Sequence, residues 1–340
     1  MNIITSKIKT IIFCQSSADL LYTVDLISKH KNVIVYVIHV KSIYKYLVSL
    51  EIKNIEIKFY PYFKLSFFNP IAIFNVKKSL IDLWNIEFCQ YRNCTVFFFS
   101  TSYDWLTASF VKRLSEENEV IYYNHYDHLT SLVGHNSFSL KRKIKQFIYS
   151  FITKVDFTAL SDLNFPKFNY LKYNITKLDV LIKPAVNKEF LYTVPGNYKK
   201  VLFIISPEEI ESLENTSKQR LIYCLRNLRK NNISVVLKGH PRLGESEEMK
   251  PYADFIIPRN IPSEFLNYKS FNFIFGLTSA ALCYPAQKEL CTVYSLVELL
   301  KYKDPLKQKD FKKYISKYSN HKIIFEFNKM DFFKNNNIII

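Results

Sequence analysis

The first half of the chain alternates short apolar runs with longer stretches in which apolar residues recur every three or four positions. Thr10 to Cys14, Val33 to Val40, Ile55 to Phe59, Thr95 to Ser100, Val120 to Tyr123 and Val155 to Leu160 read as strands. Ala18 to Ser28, Ile71 to Trp84, Trp105 to Ser115 and Leu140 to Ile152 carry the helical period between them. Strands that are apolar on both faces, each followed by a helix, belong to a parallel sheet covered on both sides.

The alternation breaks at Pro184 and the turn-forming Pro195-Gly196, then restarts. Lys200 to Ser206 reads as a strand, Pro207 to Thr216 as a polar loop and Ser217 to Lys230 as a helix. Ile233 to Leu237, Asp254 to Ile257, Phe271 to Phe275 and Thr292 to Tyr294 supply further strands, with Pro262 to Tyr268 and Ser279 to Ala286 as intervening helices. The expected fold is α/β, with two Rossmann-like, doubly wound domains over 1–190 and 196–340 facing a central cleft. Asn335 to Ile340 reads as a frayed end.

Composition narrows the class of protein. With 340 residues and 48% apolar content the chain can build two cores, and no apolar run approaches the length of a membrane span. Lys7 and Lys9 precede only the short run Ile11 to Cys14, which has neither the apolar core nor the cleavage site of a signal peptide, so a cytoplasmic chain is expected. The formal charge of +17, from 47 basic and 30 acidic residues, favours polyanionic partners: nucleic acid, anionic lipid or sugar phosphates. No recognition helix, stacking platform or zinc-finger spacing is evident, which argues against nucleic acid. The six cysteines are dispersed, and Cys89 and Cys94 lack a second pair at metal-site spacing, so they read as buried thiols.

Candidate chemistry gathers after two of the later strands. Ile233 to Leu237 runs into Lys238-Gly239-His240-Pro241-Arg242, and Phe271 to Phe275 runs into Gly276-Leu277-Thr278-Ser279. In open parallel sheets the crevice beyond the carboxyl ends of the strands is where nucleotides sit. Gly239, Gly244 and Gly276 are three of only five glycines, which favours loops that approach a ligand or need positive φ. Pro241 restricts the backbone of His240, whose imidazole can donate to a phosphate while Lys238 or Arg242 raises the local potential. A strand-capping histidine is the plainer alternative. Thr278 and Ser279 offer hydroxyls and first-turn N–H groups to an anion, or simply cap a helix. Pro262 and Glu264 open a further helix, and the Glu264 carboxylate can bond ribose hydroxyls or complement the helix dipole.

The order of these elements resembles the bacterial sialyltransferases of glycosyltransferase family 52 and the related polysialyltransferases, over about residues 200 to 300. The resemblance implies a GT-B fold in which the His-Pro motif and the Ser/Thr motif bind the CMP part of a CMP-activated sialic acid. On this chain it places Lys238, Gly239, His240, Pro241, Pro262, Glu264, Gly276, Thr278 and Ser279 at the donor nucleotide. The family's acidic pair followed by glycine, whose acid is the general base, corresponds here to Asn124-His125-Tyr126-Asp127-His128, which keeps one acid and lacks the glycine. Asp127 is therefore the expected base, with His125 and His128 as rivals. The implied reaction is an inverting, metal-independent transfer of a sialic acid or related nonulosonate to a glycan or glycolipid hydroxyl, with no cofactor beyond the CMP-sugar donor. His240, Thr278 and Ser279 would stabilise the departing phosphate. A CMP-Kdo transferase, a CDP-polyol phosphotransferase and a basic nucleic-acid-binding protein are the alternatives.

Two further stretches suggest contact with an anionic membrane. Lys141-Arg142-Lys143-Ile144-Lys145-Gln146-Phe147-Ile148-Tyr149 joins a basic cluster to aromatic residues at helical spacing, and Tyr60 to Phe68 adds Tyr60, Tyr62, Phe63, Phe67 and Phe68 beside Lys64. Packing within the first domain is the alternative for both.

Overall fold

The computed structural model describes residues 9–61, 69–101, 104–125, 140–159, 166–180, 184, 186–196, 199–241 and 243–326, without the side chains of Ser17, Leu140, Lys141, Arg142, Thr158, Ala159, Pro166 and Lys307. Two compact units divide the chain, Met1–Ala185 and Val186–Ile340. Each is a doubly wound parallel sheet with helices between its strands, so the expected α/β class with two Rossmann-like units is the one observed.

In the first unit, β1 (Thr10–Cys14), β2 (Val33–Ile38), β3 (Ile55–Tyr60), β4 (Thr95–Phe98) and β5 (Glu119–Asn124) alternate with α1 (Leu20–Lys29), α2 (Lys41–Ser49), α3 (Pro70–Leu83) and α4 (Trp105–Leu114). A fifth helix, α5 (Leu140–Thr153), precedes an antiparallel pair, β6 (Phe157–Ala159) with β7 (Pro166–Phe168), and then β8 (Ile175–Asp179). The sheet order is β3-β2-β1-β4-β5-β8, with every neighbour parallel. β1 and β2 are buried along their whole length because helices cover both faces, which is why they read as unbroken apolar runs. The expected strand over Val155 to Leu160 is β6, which joins the antiparallel pair and not the main sheet.

Helix starts are written into the sequence. Asn69 accepts from Ile71 N and Ala72 N with Pro70 at the first helical position, a cap worth about 1 kcal/mol. Asp104 does the same for Leu106 N and Thr107 N at the head of α4.

The second unit contains β9 (Lys200–Ile204), α6 (Pro207–Glu211), α7 (Asn215–Lys230), β10 (Ser234–Lys238), β11 (Phe255–Ile256), β12 (Phe273–Gly276), α8 (Cys283–Gln287), β13 (Thr292–Ser295) and α9 (Pro305–Tyr318). Its strands lie in the order β11-β10-β9-β12-β13, again all parallel. Two expectations change. Pro207 begins a short helix inside the presumed loop, because Ser206 and Glu209 form a reciprocal capping box. Pro262 to Tyr268 is not a helix: tight turns over Ser263–Phe265 and Tyr268–Ser270 flank an extended Leu266, which bridges to Tyr192.

The topological switch point, where the winding reverses, falls between β1 and β4 in the first sheet and between β9 and β12 in the second. Among the described residues no helix is long and apolar enough to cross a membrane. The expected frayed end, Asn335 to Ile340, lies outside the described residues.

Candidate functional site

At the carboxyl edge of the second sheet, Lys238 and Gly276 are both in register with Ile204. The two loops singled out in the sequence therefore leave the sheet at one level, separated by the width of β9, about 10 Å at two strand spacings. The first loop closes on itself: His240 N donates to Gly244 O (2.9 Å) and Gly244 N returns to His240 O (2.8 Å), with Gly244 at φ 81°. A Cβ on Gly239 would lie 2.3 Å from Gly244 O, and one on Gly276 would lie 2.8 Å from Ile204 O. Internal packing thus accounts for Gly239 and Gly276, while Gly244 supplies the left-handed turn. Leu243 N donates to His240 Nδ1 (3.3 Å), which in a neutral ring puts the proton on Nε2 and makes that nitrogen a donor. Pro241 lies in the turn and Arg242 lies outside the described residues.

Lys238 departs from its expected role. It is 2% exposed and lies beneath the loop, where Nζ donates to Gly239 O (3.1 Å). Burial pushes its ammonium pKa down to about 8; the Glu245 and Glu264 carboxylates oppose the fall and Arg259 adds to it. Glu264 accepts from Ser263 Oγ (2.9 Å), and Tyr268 hydroxyl donates to Ser263 O (2.7 Å). Burial and the Glu264 charge also push the Tyr284 phenol up to about 12 and raise that of Tyr268. The Glu264 carboxylate is therefore felt by Lys238 from the first motif and by Tyr284 in the helix that follows the last one. Pro262 opens the turn that carries it, Phe265 N donating to Pro262 O (3.1 Å).

The Thr278 donors are already committed. Thr278 N and Oγ1 both donate to Glu209 Oε1 (2.7 Å each), while Glu209 Oε2 accepts from Ser206 N (2.8 Å). Glu209 thus spans the switch point from the loop after β9 to the loop after β12, with its carboxylate at the position the sequence reserved for a phosphate. Ser279 Oγ accepts from Ala281 N (3.3 Å) as the cap of the following turn. Ser206-Pro207-Glu208-Glu209 signals the capping box in sequence. The reach of Glu209 to Thr278 follows from the adjacency of β9 and β12.

In the first unit Asp127 and His128 lie outside the described residues, and His125 is placed at the end of β5. His125 Nε2 donates to Asp19 Oδ1 (2.8 Å), and its ring stacks on Tyr22 at 4.1 Å. Asp19 is fully buried, and its Oδ2 accepts from Gln15 N (3.0 Å) and Ser16 N (2.7 Å). Gln15 in turn accepts through Oε1 from Phe99 N and Ser100 N (2.9 Å each) and donates through Nε2 to Asp104 Oδ2 (3.3 Å). His39, at φ 66° after β2, places Nε2 3.5 Å from Asp104 Oδ1. A polar line, His39, Asp104, Gln15, Asp19 and His125, therefore crosses the ends of four adjacent strands. The sequence reading missed four of these five. Their signal, a polar residue just past an apolar strand, becomes a cluster only once the strand order is known. Among the described residues no group of three or more His, Cys, Asp or Glu side chains is arranged to hold a metal.

Fold and site together define a protein of two Rossmann-like units, each of which collects its polar groups at the carboxyl edge of its sheet. No family model matches the chain, and no curated protein matches its sequence. Solved structures similar to it include a sialyltransferase from Photobacterium damsela, 11% identical, covering 94% of this chain and 81% of that one, with a TM-score of 0.47. A UDP-GlcNAc 2-epimerase from Neisseria meningitidis bound to UDP-GlcNAc is 12% identical, covering 93% and 95%, with a TM-score of 0.41. Glycosyltransferase VinC in complex with dTDP is 10% identical, covering 94% and 86%, with a TM-score of 0.44.

Proposed function

We propose that the chain is a metal-independent, inverting GT-B glycosyltransferase that moves a sialic acid or related nonulosonate from a CMP-activated donor to a hydroxyl of a glycan or glycolipid in bacterial surface polysaccharide or lipooligosaccharide synthesis. The observation that carries this reading is the gathering of the His240 loop, Glu264 and the Thr278-Ser279 loop at one edge of the second sheet. Oriented donors at the carboxyl edge of such a sheet suit a nucleotide phosphate.

In this reading the acceptor oxygen attacks C2 of the donor sugar as the bond from C2 to the phosphate oxygen breaks and CMP departs. His240, donating through Nε2, and Ser279 stabilise charge on the departing phosphate, and Glu264 bonds the ribose. Thr278 joins them only when Glu209 releases it. The acceptor proton passes to Asp127, with His125 and His128 as the rival bases. Contact with an anionic membrane would bring the chain to a lipid-linked acceptor.

The test is CMP release from CMP-Neu5Ac and other CMP-sugars, with and without glycan acceptors, alongside calorimetric CMP binding. His240→Ala should lower turnover roughly a hundredfold. Asp127→Ala, His125→Gln and His128→Gln should separate the three candidate bases by which one abolishes transfer while CMP still binds. Absence of both CMP binding and CMP release would refute the reading.

A further inference from the structure

α3 and α5 are each apolar on two faces, and the core uses only one of them. Val76 and Leu80 of α3 and Tyr149 and Ile152 of α5 face inward. On the outside, Ile71, Phe74 and Ile81 of α3 and Ile144, Phe147 and Phe151 of α5 recur at three-, four- and seven-residue spacing and remain exposed, Phe74 at 67% and Phe147 at 71%. The two helices pack side by side, and Lys77 Nζ of α3 sits 3.9 Å above the Phe151 ring of α5, so the two outer stripes adjoin. A surface helix ordinarily presents charge, not a second apolar stripe, to water, and a contiguous patch of this kind marks a contact surface.

Charge identifies the occupant. α3 contributes Lys77 and Lys78, α5 contributes Lys143 and Lys145, and Asp82 is the one acid in either helix. A second copy of the chain would bring the same four cations against themselves. An anionic bilayer offers phosphates to the basic residues and acyl chains to the phenylalanines, and basic amphipathic helices lie flat in such an interface. We propose that the joined outer faces of α3 and α5 dock the first unit on an anionic lipid surface. α3, which shows no basic cluster like that of α5, supplies half of this face, and the docking stands independently of any sugar transfer.

The test uses the full chain in co-sedimentation with phosphatidylcholine vesicles, with and without phosphatidylglycerol, at physiological salt. Phosphatidylglycerol should raise the bound fraction at least about tenfold, since each basic residue near such a surface contributes roughly a fivefold gain. Phe74→Ser with Phe147→Ser should reverse that gain while the unfolding midpoint and the far-ultraviolet spectrum stay unchanged. Lys77→Glu with Lys143→Glu should reverse it as well. Three results would overturn the proposal: no preference for phosphatidylglycerol, binding indifferent to the phenylalanine pair, or self-association in the absence of vesicles that the same pair abolishes.

Discussion

Lys238 gives a pH signature that depends on the geometry beneath the His240 loop. Its ammonium is buried, and its pKa falls from the ordinary 10.5 to about 8. At about 1.4 kcal/mol for each tenfold change in proton affinity, the charged form is roughly 3 kcal/mol less favourable in the folded chain than in the unfolded one. Below pH 8 both states hold the proton and the whole cost is present. Between pH 8 and 10.5 the folded chain has lost the proton while the unfolded chain keeps it, so the unfolded state binds more protons and stability rises with pH. Lys238→Met keeps the aliphatic stem and removes the titration. The stability of the native chain relative to this variant should therefore rise by about 2 kcal/mol between pH 7.5 and pH 10. The offset between the two proteins at pH 7.5 also contains the lost bond to Gly239 O and the carboxylates left behind, so the change in offset is the diagnostic quantity. Urea denaturation at four or five pH values, with both proteins in the same buffers, measures it. Parallel stability curves would mean that Lys238 is solvated and that Glu264 and the His240 loop are not joined through it.

Three other substitutions test the two sheet edges. Glu209→Gln sets an amide N–H group against the N–H donors of Ser206 or Thr278, and should cost about 1 to 2 kcal/mol in urea denaturation. Because it removes a negative charge from the anion position, it should also tighten CMP binding several-fold by calorimetry; weaker binding would instead place Glu209 among the ligand groups. Asp19→Asn replaces a carboxylate that accepts from Gln15 N, Ser16 N and His125 Nε2 by an amide, and should cost about 3 kcal/mol in the same denaturation assay, while His125→Asn, which leaves Asp19 with its two backbone donors, should cost less; equal losses would count against Asp19 as the organising charge. Gly239→Ala drives a methyl into Gly244 O, which should cost about 2 kcal/mol and abolish CMP binding with the far-ultraviolet spectrum retained; an unchanged unfolding midpoint would contradict the packing.

The central strands were legible because burial on both faces leaves no polar position to confuse the pattern, as in Ile11 to Cys14 and Val201 to Ile204. β8 was not, since Ile175–Asp179 is an exposed edge strand whose sequence, Ile-Thr-Lys-Leu-Asp, has no apolar run. The helix expected from Pro262 fails for a different reason: Leu266 is drawn into pairing with Tyr192, seventy-four residues earlier, and tertiary contact overrides local propensity. At the site, the departure of the Lys238-Gly239-His240 and Gly276-Leu277-Thr278 segments from one edge of the second sheet could be anticipated from the apolar strand that precedes each. The capture of Thr278 by Glu209 could not, because it requires β9 to lie beside β12, and strand order is not written locally. The same holds for Asp19 and His125, whose 2.8 Å contact joins residues 106 positions apart.

The two edges share a feature that bears on where an anion can bind. Asp19 stands five residues after the end of β1, and Glu209 five residues after the end of β9, so each unit places an acid at the same point of its first crossover. Each carboxylate accepts the backbone N–H groups that open at the switch point, the groups to which a doubly wound sheet usually binds a phosphate. An external anion must therefore compete with an internal one in both units, and the competition is unequal. Asp19 is fully buried, holds two backbone donors and His125, and cannot leave without stranding them. Glu209 also holds two backbone donors, but it is partly exposed, so the Ser206 N–H, Thr278 N–H and Thr278 hydroxyl that its release uncovers lie nearer solvent, at the edge from which the His240 loop also leaves. Displacement is thus less costly at the second edge, so under the proposed function a donor phosphate would bind there, while the first edge is a fixed polar scaffold around Asp19.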